Sequence, residues 1–76
     1  MKNYEITNQN ISTFLTLIRE NVRAGHYIQV LTEEKNIIGK VTYITSDYIY
    51  IDKVKIALNS LVKISRISKK DYEEMY

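Results

Sequence analysis

Apolar residues along this chain follow two different periods. Between Ile11 and Val22 they recur every three or four positions, as Ile11, Phe14, Leu15, Ile18 and Val22, which places them in one stripe along a helix. Asn10 precedes the stripe and can accept from the unpaired amides of a first helical turn. Gly25 follows it, where a left-handed backbone is needed, and Arg19 and Arg23 sit near the end whose dipole favours cations. The pattern therefore predicts a helix from Ile11 to about Ala24, with its stripe against a sheet.

From Tyr27 the period changes to two. Tyr27 to Leu31 alternates, with Ile28 and Val30 as core residues, and Glu33 to Asn36 form a polar turn. Ile37 to Ile44 and Tyr48 to Ile51 are rich in Ile, Val, Tyr and Thr, which suit a pleated, half-buried surface. Thr45, Ser46 and Asp47 join them, and their side chains favour a turn. A three-residue loop sets Val41, Tyr43, Ile49 and Ile51 on one apolar face and Lys40, Thr42, Tyr48 and Tyr50 on the other. A two-residue loop would mix these faces, because a slip of one residue turns every side chain over. The three-residue loop is the expectation. Gly39 inside the first run marks a bulge, a tight bend or a close backbone approach, and a bend is expected over a ligand contact.

Asp52 and Lys53 make a tight connection to Val54, Ile56 and Leu58, which alternate with Lys53, Lys55 and Ala57. Asn59 and Ser60 break the alternation as a short 3₁₀-like turn. Leu61 to Ile67 is a last strand, with Val62 and Ile64 directed to the core. Ser68 can cap one helical turn in the tail 68–76, with Tyr72, Met75 and Tyr76 on one side; a frayed chain end is the equal alternative. Ahead of the helix, Tyr4 to Ile6 alternates but is too short to count as a strand. The expected fold is mainly β with one N-terminal α-helix: a five-stranded SH3-like or Sm-like small barrel.

A chain of 76 residues forms a single domain (1–76), near the size where one core only just suffices. The absence of cysteine excludes disulfides and thiolate metal sites. No apolar run reaches the length of a membrane span, and nothing resembles a signal peptide, so a cytoplasmic setting without membrane contact is expected. The net charge of +2 hides a division. Residues 35–70 carry eight Lys or Arg against Asp47 and Asp52 alone, and the acids gather elsewhere. Basic charge on the sheet points weakly to an anionic partner.

The segments HYIQVLTEEKNIIGKVTYITSDYIYID and KIALNSLVKI, following the helix, resemble the small-barrel domain of the YolD-like proteins. The matching places are Ile28 and Val30; Ile37, Gly39 and Val41; Ile49 and Ile51; and Leu61 and Ile64. Asn59-Ser60 stands where that family usually carries an acidic pair. The resemblance implies a bacterial protein of a low-GC genome or its mobile elements, such as a phage. The strand pattern is also similar to Sm-like proteins, but their Asp-x-hydrophobic-hydrophobic-Asn and Arg-Gly signatures are absent, so uridine binding is not expected.

No catalytic constellation emerges from the residues. His26 is the sole histidine and lies at the helix-to-strand junction without a carboxylate pair nearby, which suits a structural or solvated role. Asp47 and Asp52 flank one strand at opposite ends, where turn capping accounts for both. Glu33 and Glu34 fit a solvated turn. No cofactor and no metal are expected, and the chain is read as a non-enzyme.

Tyrosine is the remaining signal, supplying seven of the eight aromatic residues. Tyr48 and Tyr50 beside Lys40 and Thr42, with Lys53 and Lys55 on the next strand, form one candidate face. Three readings stay open there: tyrosine as an ordinary strand residue with a wet hydroxyl, an anchor for a protein partner, or a stacking platform for nucleic acid. A binding module or regulator acting through protein contacts is the first expectation and nucleic-acid binding the alternative; a homo-oligomer is compatible with either.

Overall fold

The computed structural model describes residues 3–75. It contains six strands, β1 (Glu5–Thr7), β2 (Tyr27–Thr32), β3 (Asn36–Ile44), β4 (Tyr48–Ile51), β5 (Val54–Ala57) and β6 (Leu61–Ile67), with helices α1 (Ile11–Asn21) and α2 (Lys69–Glu74). All pairings are antiparallel, in the order β1-β6-β2-β3-β4-β5. The sheet is open, with β1 and β5 at its edges. Five strands were expected; the sixth is β1, where the short Tyr4–Ile6 alternation pairs with β6 through Ile6 and Ile64.

Helix α1 starts as its cap predicts, with Asn10 Oδ1 accepting from the Thr13 amide at 3.2 Å. Phe14, Ile18 and Val22 are each 1% exposed, whereas Ile11 at the same stripe's start is exposed. The helix stops at Asn21, three residues before the expected end. Val22 turns extended, which brings its β-branched side chain into the core. Arg23 then folds back and donates from its guanidinium to the carbonyls of Arg19, Glu20 and Val22, satisfying groups a helix end leaves open. Gly25 does adopt the left-handed region (φ +96°).

Strand β3 serves two neighbours with its two halves. Asn36 to Lys40 pair with β2, and Val41 to Ile44 pair with β4. Gly39 lies at the change of partner and is buried. A Cβ there would stand 2.6 Å from Ile51 Cγ2 and closer still to the Asp52 carboxylate. Close approach is therefore the reason for glycine, and it lets the β4–β5 turn lie on β3.

The β3–β4 hairpin corrects the expected register. Thr45 and Tyr48 close a two-residue loop, Ser46-Asp47: the Thr45 amide donates to the Tyr48 carbonyl at 2.8 Å, and Thr45 Oγ1 accepts from the amides of Asp47 and Tyr48. Ile44 thus faces Ile49 and Tyr43 faces Tyr50, yet Val41 still faces Ile51. Thr42 is the extra residue that reconciles the two, a β-bulge that absorbs the slip. Its hydroxyl donates to the carbonyls of Asp52 (3.0 Å) and Tyr50 (3.3 Å). The bulge turns Tyr43 out to solvent, 61% exposed, instead of into the core.

Two further core assignments change for related reasons. A second register shift leaves Val62 unpaired between Leu31↔Lys63 and Thr32↔Leu61. Leu61 and Ile64 are therefore both buried, and Val62 is exposed rather than core. Val54 also lies outside, at the open edge, while Ile56 and Leu58 are buried. The core gathers Ile6, Ile28, Val30, Val41, Ile49, Ile51, Ile56, Leu61 and Ile64 from the sheet with Leu58 beside them, closed by Phe14, Ile18 and Val22.

The tail forms α2, capped by Ser68 Oγ, which accepts from the Asp71 amide at 3.0 Å. Tyr72 packs on Tyr27 with ring centroids 4.7 Å apart. Met75 stays exposed, and Tyr76 lies outside the described residues.

Candidate binding face

The two-residue loop and the Thr42 bulge together place three residues in one row across three strands. Tyr43 faces Tyr50, and Tyr50 faces Lys55. Tyr48 lies on the same side of β4 as Tyr50, since strand side chains alternate. Tyr43 and Tyr48 are exposed and Tyr50 is half-buried. The Tyr43 and Tyr50 rings have centroids 5.8 Å apart and are inclined at 51°. Lys55 Nζ sits 4.1 Å from the centroid of the Tyr48 ring and 6.0 Å from that of Tyr50. A cation at the nearer distance is held by the ring quadrupole, a contribution of about 0.5 to 1 kcal/mol at an exposed site.

The six residues expected at this face are not equivalent in the structure. Tyr48, Tyr50 and Lys55 come together as a cluster. Lys40 and Lys53 are exposed at the turn end of the face, on either side of Asp52. Thr42 is tied by its hydroxyl to the backbone of β4 and the turn, so it shapes the face instead of presenting a free group. Asp52, at φ +54°, directs Oδ1 to the Lys40 amide at 3.4 Å. Sequence reasoning missed Tyr43, because alternation without a bulge turns it inward.

A second polar cluster sits at the junction of α1 and the sheet. The Tyr4 hydroxyl lies 2.9 Å from His26 Nδ1, and the Arg23 amide donates to the same nitrogen at 3.3 Å. An amide can only donate, so Nδ1 is an acceptor and the neutral ring carries its proton on Nε2. Burial lowers the His26 pKa, and the nearby Arg66 and Arg23 lower it further. Burial also pushes Tyr4 up to about 12, against the opposing pull of Arg66 and Arg23. These residues tie β1, the helix end and β2 together.

A groove of about 760 Å³ runs along the outer side of β5, between that strand and the β2–β3 turn. Among the described residues no three His, Cys, Asp or Glu side chains gather as a metal set, and no helix is long and apolar enough to cross a membrane.

Compared with known proteins, the chain matches no family profile, no curated protein and no solved structure.

Proposed function

We propose that this chain is a non-enzymatic binding module that docks a protein partner on the face formed by Tyr43, Tyr48, Tyr50 and Lys55, with Lys40 and Lys53 at its rim. The observation that carries this reading is the Lys55 ammonium seated on the exposed Tyr48 ring beside two further tyrosines. Tyrosine offers a partner large contact area at small conformational cost, and it is enriched among the residues that dominate interface energetics. A stacking site for nucleic acid asks for free ring faces. Here Lys55 covers one face of Tyr48, and the neighbouring rings are steeply inclined rather than parallel. The modest net charge of +2 also favours a protein, since non-specific nucleic-acid affinity grows with the number of phosphates neutralised.

Nucleic-acid binding is the second reading, favoured by three lysines around the same rings. Short single-stranded and duplex oligonucleotides, titrated at two salt concentrations while amide NMR shifts are recorded, separate the two. The protein-binding reading expects no clustered shifts. Salt-sensitive shifts gathered at Lys40, Tyr48, Tyr50 and Lys55 would overturn it.

The finer architectural reading belongs to the same proposal. A helix, the strand order β6-β2-β3-β4-β5 and the single 3₁₀ turn Leu58–Ser60 before the last strand support the small SH3-like or Sm-like barrel class. Kinship with the YolD-like proteins, and with it a regulatory role encoded by a phage or mobile element, rests on the apolar pattern between Ile28 and Ile64.

A further inference from the structure

Strand β5 has one strand neighbour, β4, among the described residues. The amides and carbonyls along its other side therefore face outward as a template for another extended chain, except the Ala57 carbonyl, which accepts from the Ser60 hydroxyl at 2.7 Å. Beside this edge runs the 760 Å³ groove, with an apolar lining that includes Ile37, Val54, Ile56, Leu61 and Val62. Val54 and Val62 are 47% and 41% exposed, so uncovered apolar surface stands on both sides of it. The open edge and the groove, with its apolar residues, are adjacent.

Charge determines what fits there. Side chains alternate across β5: Val54 and Ile56 take the groove side, while Lys55 and Ala57 take the tyrosine side, with Lys53 in the turn before the strand. A strand laid against β5 alternates in the same way, and its side chains meet those directly opposite. Those on the tyrosine side meet Lys55, with Lys53 at the turn, whereas those on the groove side meet Val54 and Ile56 opposite a far lip carrying Glu33, Glu34 and Lys35. Acids suit the first set of positions, and apolar side chains suit the second.

We propose that β5 accepts, as an added strand, an extended segment of a partner protein in which apolar residues alternate with aspartate or glutamate. The apolar side chains enter the groove and the carboxylates lie on the Lys55 side. This deepens the reading of the tyrosine face and rests on it, since the carboxylates meet the same Lys55 that covers Tyr48.

The test titrates the labelled full chain with an end-blocked eight-residue peptide alternating valine and glutamate. A second peptide has two adjacent central amides N-methylated, so that both its edges are blocked. The first peptide is expected to shift the Val54 to Ala57 amides, and N-methylation to weaken it by about tenfold or more, the loss of one to two backbone hydrogen bonds. Lys55→Glu is expected to weaken the glutamate peptide and to favour a valine–lysine version. Absence of β5 shifts at millimolar peptide, or equal binding of the N-methylated peptide, would overturn the proposal. So would β5 shifts that depend on protein concentration alone, which would assign the edge to a second copy of this chain. Tyr43→Ala separates the two readings, because it alters the face and leaves the edge intact. If Tyr43→Ala weakens capture of a protein partner while the peptides leave β5 unmoved, the face stands and strand addition falls.

Discussion

His26 shows how one side chain can be fixed from two directions. Its Nδ1 accepts from the Arg23 amide and lies 2.9 Å from the Tyr4 hydroxyl; burial disfavours the charged ring, and Arg66 and Arg23 repel it further. The folded state thus holds the ring below its ordinary pKa of 6.5. The unfolded chain then binds the proton first as pH falls, so this contribution to stability is complete above about 6.5 and is lost below it. Tyr4→Phe removes one hydrogen bond and is expected to cost about 1 kcal/mol. Arg66→Gln should raise the His26 pKa toward the ordinary value, as read from its ring proton shifts. An unchanged His26 titration would show that the Arg66 charge does not hold the ring neutral. Gly39 is fixed by space rather than by backbone angle. Gly39→Ala would drive a methyl into Ile51 and Asp52 and is expected to cost about 1 to 3 kcal/mol in denaturant unfolding. His26 as a junction residue was legible from its position; at Gly39 the sequence pointed first to a bend, whereas the close approach of Ile51 and Asp52 is what fixes the glycine. The Tyr4 contact was not legible, because it joins residues 22 positions apart.

Among the elements, the β3–β4 hairpin decides what the molecule displays. Its strands were legible from their Ile, Val and Tyr content, and helix α1 from its stripe and Asn10 cap. The register was not legible, because alternation assumes an unbroken ladder and a bulge shifts the phase by one. A loop of two residues plus one bulge residue preserves Val41↔Ile51 and reverses Tyr43. The same arithmetic at Val62 places Leu61 and Ile64 together in the core. Helix α1 ended early because Arg23 could close it from its own side chain, a choice that periodicity does not reveal. Thr42 is the residue on which the hairpin reading turns. Thr42→Val keeps the β-branched shape and removes the hydroxyl bonds to the carbonyls of Tyr50 and Asp52. It is expected to cost about 1 to 2 kcal/mol and to move the Tyr43 and Tyr50 amide shifts together. Shifts confined to residue 42 would indicate that the hydroxyl does not hold the bulge.

At the scale of the whole molecule, the open sheet has two unlike edges. Strand β1 covers β6 and carries the Glu5–Lys63 ion pair at 2.9 Å, a partly exposed pair of small energetic weight. Strand β5 lies at the far edge, next to the exposed rings. The candidate face was legible as a set of residue types, since Tyr48, Tyr50 and Lys55 were singled out and do cluster. Its third tyrosine was not, because Tyr43 joins only through the bulge.

The central claim is that these tyrosines anchor a protein partner. The direct measurement is quantitative affinity capture from nuclease-treated host extract, comparing the natural chain with the Tyr43→Ala/Tyr48→Ala variant. Both rings are exposed, so thermal unfolding of the variant should match that of the natural chain. The account predicts that capture of one or a few proteins falls by about thirtyfold, the equivalent of about 2 kcal/mol at an interface anchor, and withstands raised salt. Equal capture by a variant as stable as the natural chain would contradict it, as would capture abolished by nuclease alone.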